Sequence, residues 1–225
     1  MAVSSYSLKS SGNVFVSKHF QVKEFACKDG DDTVKIDMKM VAILEDIRDQ
    51  FSNRYKEVYI RVGSGYRSLA YNSRIGGANG SYHLYGMAAD IDVVIRSTGK
   101  VVDPEEVAKY LESRKVLGIG CYKYADGQSW IHTDSRVSKS FWKQGAPNSI
   151  VSVKTFYPTL KEQILSGKEK YTTNEDVRVM QQNIGAVSDG KFGPNTTKEL
   201  KVFQASKGLT ADGICGPLTW GKIFA

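Results

Sequence analysis

The sequence predicts an α+β protein: a small antiparallel sheet with flanking helices, followed by a separate three-helix domain at the C-terminal end. Three observations predict it. Stretches with the 3.6-residue period of an amphipathic helix interleave with short runs of period-2 alternation over roughly the first two thirds of the chain. A repeat of 23 residues is confined to the last quarter. The length, 225 residues, suits one medium and one small domain better than a single core.

Asp37 stands where it can cap a helix in which Met40, Leu44, Ile47 and Phe51 recur at the spacing of one buried face, ending near Ser52 and Asn53. Val58, Ile60 and Val62 then alternate with Tyr59 and Arg61, a half-buried strand that runs into the loop GSGYRS at 63–68. A second strand is expected from Ala89 to Val94. Asp103 followed by Pro104 starts another helix, with Val107, Tyr110 and Leu111 as its apolar stripe. Cys121 and Tyr122, then Trp130 to Asp134, are short and apolar enough to be strands. From 155 to 173 the chain turns polar and Lys-rich, apart from a short helix expected around Leu160 to Leu165. The expected domains are therefore 1–155 and 174–225, with a linker over 156–173.

In the last quarter Gln181, Gly185, Asp189-Gly190, Gly193-Pro194 and Thr196 recur as Gln204, Gly208, Asp212-Gly213, Gly216-Pro217 and Thr219. Each unit reads as a helix, a glycine stop, a DGxxGP turn and a new helix. Thr196 with Glu199 forms a capping box, and Leu200 with Phe203 begins the apolar face that Gly208 ends. The repeat resembles the peptidoglycan-binding domain appended to many wall hydrolases, over roughly 174–225. What that resemblance implies is bacterial peptidoglycan as partner.

The composition, 41% hydrophobic and 24% charged, is that of a folded soluble protein. A net charge of +7 draws the surface to polyanions, whether nucleic acid, anionic lipid or the acidic groups of a bacterial wall. The 31 Lys and Arg are scattered, without a basic run or a reading motif, so nucleic acid is not expected as a partner. Cys27, Cys121 and Cys215 are an odd, widely spaced set that suggests neither a disulfide framework nor a thiolate metal site. The N-terminus lacks the apolar core of a secretory signal, and no apolar run could span a bilayer. The expectation is a monomer made in the cytoplasm without a signal peptide, with no membrane partner.

The chemistry is concentrated in SYHLYGMAAD at 81–90, of the form SxHxxGxAxD. A histidine and a carboxylate seven residues apart, His83 and Asp90, can converge on one metal ion from a loop and the strand after it, with Gly86 letting the chain turn. The third ligand is supplied most naturally by His132. The chain has three histidines, and His19 sits in a polar N-terminal arm with no carboxylate pattern around it. Two His and one Asp leave a zinc coordination position open, which suits hydrolysis better than structure.

GSGYRS, Asn72, Gly76-Gly77-Ala78, the SxHxxGxAxD run and WIHTD, in that order, resemble the zinc D-alanyl-D-alanine carboxypeptidase and L-alanyl-D-glutamate endopeptidase family over about residues 15–140. The resemblance implies His83, Asp90 and His132 as zinc ligands. It also implies Arg67 as the group that holds a substrate carboxylate or polarises the scissile carbonyl, tasks its guanidinium fork suits. Many relatives carry Glu or Asp three residues before the last histidine as general base, where this chain has Ser129. Asp134 is the nearest carboxylate, on the same strand face as His132 about 6.6 Å on. It serves as base, or orients a ligand, or pairs with Arg136; Asp126 is the other candidate base. Asp92 reads as structural.

Ser81 belongs to the same motif and stands beside the ligands. Tyr66, Tyr82, Tyr85, Tyr122 and Trp130 cluster around the motifs, and Ser81, Tyr85 and Trp130 are the expected substrate-binding residues. The sequence thus points to a zinc metallopeptidase of the endolysin type, a wall hydrolase released to act on peptidoglycan, with Arg67 and Asp134 catalytic. The carboxypeptidase and endopeptidase branches share these ligands. The alternative is a non-catalytic peptidoglycan-binding protein with a vestigial zinc site.

Overall fold

The computed structural model describes residues 3–145, 149–166 and 170–225. Residues 1–2 and 146–148 of the expected first domain, and 167–169 of the expected linker, lie outside the described residues. The chain divides into two compact units, Met1–Val153 and Lys154–Ala225.

In the first unit, strand β1 (Val3–Ser7) is followed by the one-turn helix α1 (Leu8–Ser11) and pairs antiparallel with β2 (Thr33–Asp37). Helix α2 (Met38–Tyr55) begins where the Asp37 carboxylate accepts the Lys39 amide at 3.0 Å, and buries Met40, Leu44, Ile47 and Phe51. It runs two residues beyond the expected end. Strand β3 (Val58–Ser64), helix α3 (Leu69–Arg74), strand β4 (Ala88–Ile95) and helix α4 (Pro104–Ser113) come next. Helix α4 starts as expected, with Asp103 accepting the Glu105 amide at 2.9 Å and Pro104 in the first turn. Strands β5 (Gly118–Lys123), β6 (Ser129–Asp134), β7 (Ser140–Gln144) and β8 (Ile150–Ser152) complete a six-stranded sheet ordered β3-β4-β6-β5-β7-β8.

The α+β class is as the sequence predicts. The sheet is antiparallel except for one parallel pair, β5 with β7, and β7 and β8 had no signal in the alternation pattern. The pleat sorts the residues of this sheet. Ile60, Ile91, Val93, Ile119, Ile131 and Phe141 share one parity and are buried, and α2 and α4 pack against these strands. The other parity carries Asp90, His132, Asp134, Gly118, Gly120, Tyr122 and Trp142 side by side. One face is core and the other is chemistry.

The second unit is built on α5 (Glu175–Ile184), α6 (Pro194–Ser206) and α7 (Pro217–Ile223). Val177, Met180, Phe192, Leu200, Cys215 and Trp220 form its core, and positions 23 residues apart fill equivalent places, Val177 with Leu200 and Phe192 with Cys215. Tyr157 and Leu160, from the stretch expected to be a linker, are also buried in that core. Tyr157 stacks on Trp220 with ring centroids 4.3 Å apart. The helix expected around Leu160 to Leu165 is absent: Leu160 is extended, exchanging both backbone hydrogen bonds with Cys215 at 3.0 and 2.8 Å. A ladder contact of that kind overrides a weak local helical preference.

Thr196 is a further correction. Helix α6 is capped by Gly193 with Pro194 at its first position, so Thr196 lies inside the first turn. Its hydroxyl accepts from Gln181 Nε2 at 2.9 Å and donates to the Lys191 carbonyl at 3.0 Å. No helix among the described residues is long and apolar enough to cross a membrane.

Candidate active site

Each predicted ligand is delivered by a different local device. His83 sits in a short 3-10 turn, Tyr82–Tyr85, which Gly86 ends in the left-handed region at φ 69°. The turn is pressed against β2: a Cβ on Gly86 would lie 2.2 Å from the Lys35 carbonyl oxygen, so a side chain is excluded by contact as well as by conformation. Asp90 and His132 are directly opposed on β4 and β6. On the far side of Asp90 the register of β3 slips between Val62 and Ser64, a bulge that brings Ser64 opposite Asp90 and re-aims the chain into the loop carrying Arg67.

These devices bring His83, Asp90 and His132 together as a group that could hold a metal ion, with one ligand atom from each all within 4.8 Å of one another. His83 Nε2 is 3.2 Å from His132 Nδ1 and 3.3 Å from Asp90 Oδ1, and His132 Nδ1 is 2.9 Å from the same oxygen. The outer ring nitrogens are engaged elsewhere. His83 Nδ1 donates to the Gly65 carbonyl at 2.7 Å and His132 Nε2 to Asp134 Oδ2 at 3.1 Å. Both of those partners are pure acceptors, so the outer nitrogens carry the protons and the inner ones present lone pairs. Three electron-rich atoms thus face one another in a buried place, an arrangement that calls for positive charge between them.

The electrostatics carry the same signature. Burial alone would lower His132, yet when its inner nitrogen takes up a proton the hydrogen bonds to Asp134 and Asp90 hold the ring above the usual imidazole value, the proton standing where a cation would. Burial alone would raise Asp90, but the facing imidazoles of His83 and His132 outweigh it and keep the carboxylate ionised.

Arg67 is tied to this group. Its Nη2 donates to Asp90 Oδ2 at 2.5 Å and its Nε to Ser64 Oγ at 2.8 Å, leaving Nη1 without a protein partner among the described residues. It lines a groove of about 830 Å³ together with Asp90, Ser129 and Trp130. Trp130 is held flat between Tyr122 and Tyr124, with centroids 4.8 and 5.2 Å away. Ser81 and Tyr85 are not part of that groove's lining. Ser81 leads into the 3-10 turn without a side-chain capping bond, and Tyr85 at its end is exposed.

Of the three roles open to Asp134, its contacts match orienting His132 and pairing with Arg136 rather than serving as base, and it stands away from the space between the three ligand atoms. It is fully buried, and its oxygens are taken by His132 Nε2, by the Arg136 amide at 3.1 Å and by the Arg136 guanidinium at 2.7 and 2.6 Å. These bonds overcome burial and hold its carboxyl at about 2. Gly118 makes room for it, since a Cβ there would lie 1.9 Å from Asp134 Oδ1. Alternation along β6 puts Asp134 on the correct face; the neighbouring Arg136 turns it to the outer side of the ring. Asp126 is exposed and accepts the Gln128 amide at 2.9 Å in a local turn. Asp92 pairs with Arg61 at 2.7 and 2.9 Å. Asn72 closes the 72–78 loop, its Nδ2 donating to the Ala78 carbonyl at 3.0 Å.

Trp142, which no motif in the sequence marks, also belongs to the site. Its indole packs on the His132 ring at 5.0 Å and donates to the Tyr122 hydroxyl at 2.8 Å. It arrives through the parallel β5–β7 pairing, which leaves no short-range mark in the sequence.

Comparison with known proteins adds two findings. Residues 18–134 match the family model Peptidase M15, and residues 173–223 match that of a peptidoglycan binding domain. Among curated proteins, none matches the chain.

Proposed function

Because the chain belongs to the Peptidase M15 family, we propose that it is a zinc-dependent peptidoglycan peptidase of the endolysin type. It hydrolyses a peptide bond in the wall stem or cross-link, as a D-Ala-D-Ala carboxypeptidase or an L-Ala-D-Glu endopeptidase. Its C-terminal unit holds it on the wall. The observation that carries this reading is the convergence of His83 Nε2, His132 Nδ1 and Asp90 Oδ1 with both outer imidazole nitrogens tethered. Their separations of 2.9 to 3.3 Å agree with the edge of about 3.3 Å that a tetrahedron with zinc–nitrogen bonds of about 2.0–2.1 Å would have.

A zinc ion, which His83, Asp90 and His132 would hold, would supply Lewis acidity there. The chain's own residues do the rest. The Gly65 carbonyl and Asp134 fix the tautomers of His83 and His132, and Arg67 locks Asp90 from the far side. The free Nη1 of Arg67 is the donor for a substrate carboxylate or the scissile carbonyl, and the clamped Trp130 presents an apolar edge to the peptide stem in the groove it lines.

Ser129, in place of the acid of relatives, favours the second reading, a wall-binding protein with a vestigial site. One experiment separates them. Purified bacterial walls are incubated with the native chain, with and without chelator, and with His132→Ala, and new amino groups are counted. The peptidase reading expects release that the chelator abolishes, zinc restores and His132→Ala lowers at least about 1,000-fold, several kcal/mol of barrier, while wall binding persists. Wall binding without release by the zinc-loaded native chain would establish the second reading. Release indifferent to chelator would overturn the metallopeptidase.

A further inference from the structure

Arg67 Nη1 serves a substrate carboxylate or the scissile carbonyl but not both, Asp134 is committed elsewhere and Ser129 replaces the acid of relatives, so a carbonyl attacked while Arg67 holds a carboxylate lacks a side-chain donor. We infer that the Tyr122 hydroxyl fills this gap, as a catalytic hydrogen-bond donor to the oxygen that becomes negative when the peptide carbonyl is attacked. The inference rests on the peptidase reading above.

Tyr122 is fixed relative to His132 by the sheet. Gly120 opposes His132 and Tyr122 opposes Trp130 across β5 and β6, so Tyr122 stands one pleat along from the ligand on the same face. The space over Gly120 is filled by Trp142, whose Nε1 lies 2.4 Å from where a Cβ of Gly120 would be. One edge of this indole touches the His132 ring, and its N–H reaches the Tyr122 oxygen at 2.8 Å. Tyr122 is therefore one indole's breadth from a ligand, and its ring is fixed by stacking on Trp130, which lines the groove.

The polarity of the Trp142 bond decides what Tyr122 can do. An indole nitrogen only donates, so the Tyr122 oxygen accepts from it and its own hydrogen must point away from the indole. No acceptor for that hydrogen exists among the described residues. A half-buried donor, oriented and without a protein acceptor, is what a preorganised oxyanion contact requires. Burial also pushes the phenol above its usual value, with the Asp90 charge adding to the rise and the Trp142 hydrogen bond and Arg67 opposing it, so the hydroxyl keeps its proton. No proton is transferred: the O–H strengthens its hydrogen bond as negative charge builds on the substrate oxygen.

The test compares the native full-length chain with Tyr122→Phe, which keeps the stacked ring, and Tyr124→Phe, which removes the hydroxyl of the other tyrosine stacked on Trp130. Zinc content and melting temperature establish that each variant is loaded and folded. On purified walls Tyr122→Phe should lose about 100-fold in kcat, the range for removing one oxyanion donor, with KM within about twofold. Tyr124→Phe should match the native chain. A readout independent of turnover is calorimetric binding of phosphinate analogues of D-alanyl-D-alanine and of L-alanyl-D-glutamate, with the unmodified dipeptides as controls. The phosphinate that the native chain binds should bind Tyr122→Phe at least about tenfold more weakly, with dipeptide binding unchanged. A Tyr122→Phe enzyme with native kcat and native phosphinate affinity overturns the inference and leaves the peptidase reading intact. A zinc-loaded native chain that cleaves no wall overturns both.

Discussion

Both units bury a network of polar side chains, and the two networks differ in one respect that separates a fold device from a site. In the C-terminal unit, Gln181 Nε2 reaches Asp189 Oδ1, the Lys191 carbonyl and Thr196, and its oxygen accepts the Gly190 amide at 2.7 Å. Gln204 repeats this with Asp212, Ile214, Thr219 and the Gly213 amide at 2.9 Å. Donors meet acceptors and the amide hubs are neutral, so each network is closed: it ties a DGxxGP turn to the helix before it. In the N-terminal unit, Gly65, His83, Asp90, His132, Asp134 and Arg136 are as well connected at the periphery. At the centre, however, three acceptors face one another. A buried polar group is costly unless it is satisfied, so an open centre retained inside an otherwise satisfied network indicates a ligand.

The sharpest way to break this contrast is to damage the periphery and see whether the centre fails. Asp134→Asn keeps volume but leaves Arg136, mostly buried, without its carboxylate, and lets the His132 ring take either tautomer. The expected outcome is a loss of stability of about 4 kcal/mol, the cost of leaving a buried charge unpaired. Zinc affinity should also fall about 10- to 100-fold, as for other partners of ligating histidines. Thermal melting and chelator competition check the two effects. Unchanged zinc affinity would mean that Asp134 serves the fold alone.

The closed network should respond differently. Gln204→Ala strips the Gly213 amide, the Ile214 carbonyl and the Thr219 hydroxyl of a partner at once, for about 3 kcal/mol at the usual cost per buried unsatisfied group. The temperature at which the full chain stops binding walls should drop, while zinc affinity and hydrolysis of a soluble muropeptide remain native. Gln181→Ala should reproduce the result, since the two hubs are equivalent. A muropeptide activity that fell in step with wall binding would show that the networks are coupled.

How much of this was legible in the sequence follows the same division. Caps and periodicity locate α2 and α4, because Asp37 and Asp103 act within two residues of themselves. His83 and Asp90 were legible because a loop, a glycine and a strand fix their convergence locally, whereas His132, which strand pairing sets directly opposite Asp90, was legible by elimination among three histidines and by the resemblance. What failed was non-local. Leu160 looks helical until its partner Cys215 is known, and Tyr157 looks like linker until Trp220 covers it. Thr196 resembles a cap, yet its hydroxyl is claimed by Gln181, 15 residues earlier. Alternation gave the face of Asp134 and left its pairing with Arg136 as one of three open roles, and Trp142 enters only through a parallel strand pair.

The smallest effect concerns pH, and it tests whether the centre calls for positive charge. Asp134 has its folded value at about 2, below the usual 3.8. It therefore contributes about 2 kcal/mol that is fully present above the unfolded value and is lost as pH falls through about 2. His132 is shifted the other way, above the usual 6.5. Its contribution is fully present below that unfolded value and is lost as pH rises through the higher folded one. The two windows overlap between about pH 4 and 6.5, so the metal-free protein should be most stable there, the proton on the imidazole standing in for a cation. Zinc competes with that proton, because a ligating imidazole must be neutral. Saturating zinc should therefore stabilise the chain progressively more as pH rises from 5 to 8, moving the optimum of a melting-temperature profile upward. A profile with the same optimum with and without zinc would mean that the three acceptors do not share one cation.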